Sequence, residues 1–94
     1  MIEFRDDDEG YFAWLIGHPS GFVLNVRHDP DPGYVVLHRA SCGLISTGKR
    51  ASGAYTSRGF RKWCSSELNE LRAAAKAEGR EDGTFSSECR LCIG

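Results

Sequence analysis

The chain has 94 residues, of which 40 % are hydrophobic and 27 % are charged, a balance typical of one small folded domain rather than a disordered segment. Its apolar runs are far shorter than the ~20 residues that a membrane helix needs. The acidic N-terminus lacks the basic start and the apolar stretch of a secretory signal. We therefore expect a cytoplasmic protein in which residues 1–94 form a single domain.

The net charge of −1 conceals an uneven distribution, because residues 34–63 carry six cations and no acid. Such clustering can mark a face that binds anions. The alternative is that acidic segments pack beside these cations in the fold and neutralise them.

Local patterns predict an α+β fold with a small three-stranded antiparallel sheet and two helices. The first helix is expected at residues 8–16, where acids precede apolar side chains, and Pro19 cannot continue it. The runs 22–26 and 34–39 are rich in β-branched and aromatic residues and flank a turn with proline and glycine, which is typical of a hairpin. A third strand is expected at residues 60–64.

The remaining segments predict a loop and a second helix. Residues 46–59 are small, basic and rich in glycine, as in exposed mobile loops. Further on, apolar side chains recur at helical spacing from Leu68 to Ala75, and Gly79 is suited to end that helix. Residues 84–86 can form a short additional strand.

The four cysteines favour metal binding over disulfides if the chain occupies a reducing compartment. Two thiolates spaced as Cys89-x-x-Cys92 can both reach a zinc ion at about 2.3 Å. The same motif can be redox-active at the start of a helix, but only Ile93 and Gly94 follow it. We therefore expect a C-terminal zinc knuckle, a tight turn whose two cysteines bind one metal ion.

The other half of the site must come from earlier in the chain. An all-cysteine Zn²⁺ site would use Cys42, Cys64, Cys89 and Cys92, because the ends of the second and third predicted strands can meet at one edge of the sheet. His38 is the alternative ligand to Cys64. In an extended strand it would lie up to ~13 Å from Cys42, so the chain would have to turn between them. We favour the all-cysteine set, although Cys42 and Cys64 are also compatible with ordinary buried cysteines.

Two resemblances follow from these residues. The run His38-x-x-x-Cys42 with a distant Cys89-x-x-Cys92 resembles the zinc module of Ada-type alkylation-repair proteins, which carry Cys-x-x-x-Cys and a distant Cys-x-x-Cys. This resemblance covers the ligand spacing and implies a zinc site. The runs Trp14-Leu15, 18–25 and 37–42 are similar to small bacterial zinc-binding proteins of no established activity.

The segment from Lys49 to Trp63 interleaves cations with aromatic side chains. Cations contact phosphates and aromatic rings stack on bases in proteins that bind single strands. We therefore expect a non-catalytic zinc module that binds nucleic acid through Lys49, Arg50, Tyr55, Arg58, Arg61 and Lys62. A protein-interaction or regulatory module with a structural zinc is the alternative.

The sequence motifs do not favour a catalytic function. The chain has no paired carboxylates or nucleophile motif, and its histidines are scattered. The run 43–49 has the glycines and lysine of a phosphate-binding loop, but Arg50 stands where that motif needs Ser or Thr.

Overall fold

The computed structural model describes residues 1–46 and 53–93, which form an α+β fold with three helices and a mixed five-stranded sheet. In chain order the elements are β1 (Ile2–Phe4), α1 (Asp8–Gly17), β2 (Phe22–Arg27), β3 (Val35–Arg39), α2 (Gly43–Ser46), β4 (Phe60–Ser65), α3 (Leu68–Ala77) and β5 (Ser87–Glu88). The longest helices in this part of the chain have ten residues, and none can cross a membrane.

The sheet has the strand order β1-β4-β2-β3-β5. The predicted hairpin is confirmed, since β2 and β3 pair antiparallel with Val23 opposite His38. On its other side β2 pairs antiparallel with β4, and Val23 lies opposite Cys64 there. The last strand, β5, pairs parallel with β3. The sheet is therefore mixed, and β2 separates β3 from β4.

The prediction of a three-stranded antiparallel sheet with two helices is wrong. The structure adds β1 and β5 at the two edges of the sheet and α2 between β3 and β4. These elements have three, two and four residues, which is too short for a periodic pattern to appear in the sequence. The extra strand expected at 84–86 begins three residues later than predicted, at Ser87.

The loop predicted at 46–59 is only partly described, because residues 47–52 lie outside the described ranges. Residues 53–59 form turns and bends, but they are not uniformly exposed. Thr56 is fully buried, and its amide and hydroxyl both donate to the Asp8 carboxylate, at 2.8 and 2.6 Å. The amide of Asp7 donates in turn to the Thr56 hydroxyl at 2.8 Å. This segment therefore packs on the N-terminus of α1.

Each face of the sheet carries its own apolar cluster. Helix α3 covers one face, where its buried residues pack on alternate side chains of β2 and β3; this cluster contains Leu24, Val26, Val35, Leu37, Leu71, Ala74 and Ala75. Helix α1 lies with the opposite cluster, which contains Phe4, Tyr11, Trp14, Leu15, Val23, Ala40, Cys42, Ile45, Tyr55, Cys64 and Cys89. All four cysteines thus lie on the side of the sheet that α1 covers, since Cys92 is half-buried against the same cluster.

A buried ion pair ties β4 to α3. The Arg61 side chain is 2 % exposed and lies against Glu78, with N–O distances of 2.8 and 2.5 Å. It also donates to Glu3 of β1 at 2.6 Å, and Trp63 Nε1 donates to Glu78 at 3.0 Å. Hydrogen bonding to Glu78 raises the pKa of Arg61 further. Glu3 and Glu78 therefore neutralise one of the six cations in residues 34–63.

We expect Glu78→Gln to destabilise the fold by about 3 kcal/mol, because it removes the buried member of the pair and leaves Glu3 as the partner of the Arg61 charge. Glu81→Gln is the matched control, since Glu81 is exposed and should stay within about 0.5 kcal/mol of the parent. Urea unfolding followed by circular dichroism measures both. Equal unfolding midpoints for the two variants would contradict the structural role of the pair.

Candidate metal centre

The parallel pairing of β3 with β5 brings distant parts of the chain to one edge of the sheet. Val36 lies opposite Ser87 and Leu37 opposite Glu88, and the amide of Cys89 donates to the Leu37 carbonyl at 2.8 Å. Parallel strands end at the same edge of a sheet. The residues that follow β5 are therefore placed beside the end of β3.

A tight turn directs the chain back after β3. The amide of Cys42 donates to the Arg39 carbonyl at 3.0 Å, which closes a four-residue β-turn. This is the turn between His38 and Cys42 that a shared metal requires. Helix α2 follows at once, and the hydroxyl of Ser46 donates to the Cys42 carbonyl at 2.6 Å.

Backbone hydrogen bonds fix the predicted knuckle at residues 89–92. The Ile93 amide donates to the Cys89 carbonyl at 2.9 Å, so the chain turns tightly there. The Arg39 amide donates to Cys92 Sγ at 3.2 Å, and Arg39 Nε donates to the Cys92 carbonyl at 2.9 Å. The sequence analysis did not anticipate Arg39, because any residue at this position except proline offers the same backbone N–H.

The structure brings together His38, Cys42, Cys89 and Cys92, whose ligand atoms all lie within 4.8 Å of one another. The sulfurs of Cys42 and Cys89 are 3.9 Å apart. Two thiolates that share one tetrahedral zinc ion at 2.3 Å would be about 3.8 Å apart. The four side chains can therefore hold a metal ion with little rearrangement.

The His38 imidazole has a ring nitrogen that lacks a hydrogen-bond partner within the described residues. The side chain is 6 % exposed, and among the described residues Nδ1 is buried with no hydrogen-bond partner. A buried polar atom left in this way is costly, so most such atoms have a partner. Burial, with a smaller contribution from Lys62, lowers the pKa of His38 to about 4. The imidazole is therefore neutral at pH 7, the form that binds metals.

The cysteines of the cluster differ in their electrostatics. Burial raises the pKa of the Cys42 thiol to about 11. Burial also acts to raise the pKa of Cys89, but hydrogen bonds from the backbone amides of Leu91 and Cys92 outweigh it and lower this pKa. The knuckle thus places N–H groups where they stabilise a thiolate.

Cys64 lies outside this cluster. It is fully buried on β4, and Val23 of β2 stands in register between it and His38 of β3. The Val23 side chain is buried in the same apolar cluster as Cys64, and the Cys64 sulfur is not among the donor atoms that lie within 4.8 Å of one another. Burial raises the pKa of Cys64 to about 12 despite the opposing charge of Lys62. The structure thus assembles three of the four cysteines in the favoured set with the alternative ligand His38.

The residues predicted to bind nucleic acid are spread over different environments. Lys49 and Arg50 lie outside the described residues, and Arg58 is exposed. The others are buried: Tyr55 is 3 % exposed, and Arg61 and Lys62 are each 2 % exposed. The structure therefore does not gather these six residues on one accessible surface within the part of the chain that it describes.

Lys62 contributes to the interior of the fold. Its ammonium group donates to Asn25 Oδ1 at 2.8 Å and to the Tyr55 carbonyl at 2.7 Å. It also lies 5.5 Å from the centre of the Phe60 ring. These contacts join β4 to β2 and to the segment after residue 52.

Comparisons with protein-family models, with curated proteins and with solved structures find no match. The similarity to the Ada-type zinc module therefore concerns ligand spacing alone.

The placement of Cys64 gives a direct test of the ligand set. We expect Cys64→Ser to retain one zinc ion per chain in native mass spectrometry, because this sulfur lies outside the cluster. Cys89→Ser should lower the zinc affinity at least ~10-fold, in line with the loss of a direct ligand. His38→Cys should still bind zinc, since a thiolate can replace the imidazole as a donor.

Zinc loss in Cys64→Ser together with full retention in His38→Ala would favour the all-cysteine set instead. Circular dichroism spectra of all variants, recorded with excess zinc, separate lost metal binding from misfolding.

Proposed function

We propose that the protein is a small zinc-binding domain whose ion is held by His38, Cys42, Cys89 and Cys92. The observation that carries this proposal is the convergence of four donor atoms within 4.8 Å around an imidazole whose Nδ1 is buried and unpartnered in the described residues. Bonding between Nδ1 and a metal ion would give that atom the partner it lacks.

The donor set favours zinc over the hard cations magnesium and calcium. Three sulfurs and one imidazole nitrogen are soft or intermediate donors, whereas magnesium and calcium prefer oxygen ligands. The three-cysteine, one-histidine combination is one of the usual sets of structural zinc sites.

The same donor set supports a structural role for the ion. Four protein ligands complete a tetrahedral shell, whereas catalytic zinc sites keep one position open for water or substrate. The ligands come from β3, from the turn before α2 and from the residues after β5. Since β5 has only two residues, the ion would supply most of the cross-linking at this edge of the sheet.

We expect chelation of the metal to unfold the domain or to lower its thermal midpoint steeply. Structural zinc contributes on the order of 10 kcal/mol to folding, which is comparable to the whole stability of a small domain. Circular dichroism during titration with a strong zinc chelator measures this effect, and added zinc should restore the signal. An unchanged thermal midpoint after complete zinc removal would contradict a structural role.

Nucleic-acid binding is our second proposal, and the exposed Arg27 beside two aromatic rings at the far end of the sheet supports it, although Arg27 also pairs with Asp31 at 3.6 Å. Arg27 is exposed, and its guanidinium lies 4.6 Å from the centre of the Tyr34 ring and 5.8 Å from that of Phe60. Both rings are half-buried, and Arg58 is exposed close by in sequence. Phosphates and bases could be contacted here by cations and by aromatic rings, respectively.

The proposed surface is tested with a fluorescein-labelled oligothymidine in a salt series. Each lost phosphate contact reduces the slope of log affinity against log salt by about 0.7 for a single strand. We therefore expect the double variant Arg27→Gln with Arg58→Gln to bind more weakly, with a slope about 1.4 smaller. Arg72→Gln with Lys76→Gln is the matched control on the exposed face of α3, with the same change in net charge.

Equal slopes for the two double variants would show that this surface is not specific. No binding by the parent protein at low salt would remove the second proposal and favour the protein-interaction alternative.

A further inference from the structure

The sulfurs of Cys42 and Cys89 are close enough to be joined by a covalent bond. They lie 3.9 Å apart, and a disulfide requires about 2.05 Å. We propose that Cys42 and Cys89 form a site of oxidative modification, at which hydrogen peroxide converts the two thiols into a disulfide. This inference rests on the proposed function only in one consequence, the loss of zinc.

A groove gives small oxidants access to this pair. Its volume is about 350 Å³, and it is lined by Arg39, Ser41, Cys42, Gly43, Leu44, Leu91 and Cys92. Cys42 is therefore reached from solvent although the residue is only 4 % exposed. Cys89 does not line the groove, but the residue is 9 % exposed and its sulfur lies next to that of Cys42.

The reaction proceeds in two displacements. One of the two sulfurs attacks one oxygen of the peroxide, the O–O bond breaks, and a sulfenic acid and one water form. The other sulfur then attacks the sulfenic sulfur, the S–O bond breaks, and the second water leaves with the thiol proton. The two sulfurs are oxidised by two electrons in total, and the peroxide is reduced to two waters.

Cys92 also lines the groove, and its sulfur lies within 4.8 Å of the other donor atoms. A bond from Cys92 to Cys42 or to Cys89 is therefore the competing outcome in the experiment, and the 3.9 Å separation of Cys42 and Cys89 favours their pairing. A bond between Cys42 and Cys89 also joins positions 47 residues apart. It therefore restricts the unfolded chain far more than a bond within the knuckle.

The disulfide would exchange one cross-link for another. It removes two of the four donors, so the remaining His38 and Cys92 would no longer retain a zinc ion tightly. The covalent bond would still connect the turn after β3 to the residues after β5. A thiol reductant restores both donors, which makes the modification reversible.

Peptide mapping tests this proposal, because trypsin places each cysteine on a different peptide. Cleavage after Arg and Lys gives 40–49 with Cys42, 63–72 with Cys64, 81–90 with Cys89 and 91–94 with Cys92. Zinc-loaded protein is treated with hydrogen peroxide, free thiols are alkylated, and the digest is analysed by mass spectrometry. A chromogenic chelator reports zinc release in the same sample.

We expect the linked peptides 40–49 and 81–90 to dominate, and one zinc ion to be released per disulfide formed. Cys64→Ser is the matched control and should give the same linked pair. Predominant linkage of 91–94 to either partner would overturn the proposal. So would the absence of any linked peptide under conditions that oxidise glutathione.

A parallel sample keeps this inference distinct from the zinc proposal. His38→Ala removes one metal ligand and leaves all four thiols, so it should form the same disulfide at least ~10-fold faster, as expected when zinc protection is weakened. If the parent protein binds no zinc but still links 40–49 to 81–90, the zinc proposal fails and the oxidation site stands. If it binds zinc and links other cysteines, the oxidation site fails and the zinc proposal stands.

Discussion

The metal centre depends on one constraint, the parallel pairing of the two-residue strand β5 with β3. In this pairing the amide of Cys89 donates a hydrogen bond to the carbonyl of Leu37. The knuckle therefore lies beside the end of β3. The β-turn after Arg39 then returns Cys42 to the same edge. Without the strand pairing, Cys89 and Cys92 would lie apart from His38, and without the β-turn Cys42 would lie apart from all three.

Much of the fold could be predicted from local sequence patterns. Helices α1 and α3, the hairpin of β2 and β3, and the strand β4 follow from periodicity, propensity and turn chemistry, and the structure confirms each of them. The edge strands could not be predicted in this way, because two or three residues carry no period. Their positions are determined by tertiary pairing alone.

The metal ligands show the same division between local and long-range information. The spacing of Cys89 and Cys92 identifies a knuckle, because both ligands belong to one turn. The choice between Cys64 and His38 as the fourth ligand depends on the strand order. The sequence patterns led us to expect that the strand with Cys64 would meet the end of the strand before Cys42. In the structure β4 pairs with β2 instead, which moves Cys64 away and leaves His38 beside the cluster.

The cations of residues 34–63 show that composition alone does not tell which charges are exposed. Arg and Lys are rarely buried unless they are paired, so Arg61 and Lys62 were expected on a surface that binds anions. Glu78 and Glu3 compensate Arg61, while Asn25 and the Tyr55 carbonyl bind Lys62. The pattern of charge in the sequence therefore reports both internal ion pairing and exposed cations.

The most direct test of the central claim is X-ray absorption at the zinc edge of the zinc-loaded protein. The account predicts three sulfur neighbours at about 2.3 Å and one nitrogen at about 2.0 Å. Four sulfur neighbours, or a shell with oxygen in place of sulfur, would contradict it.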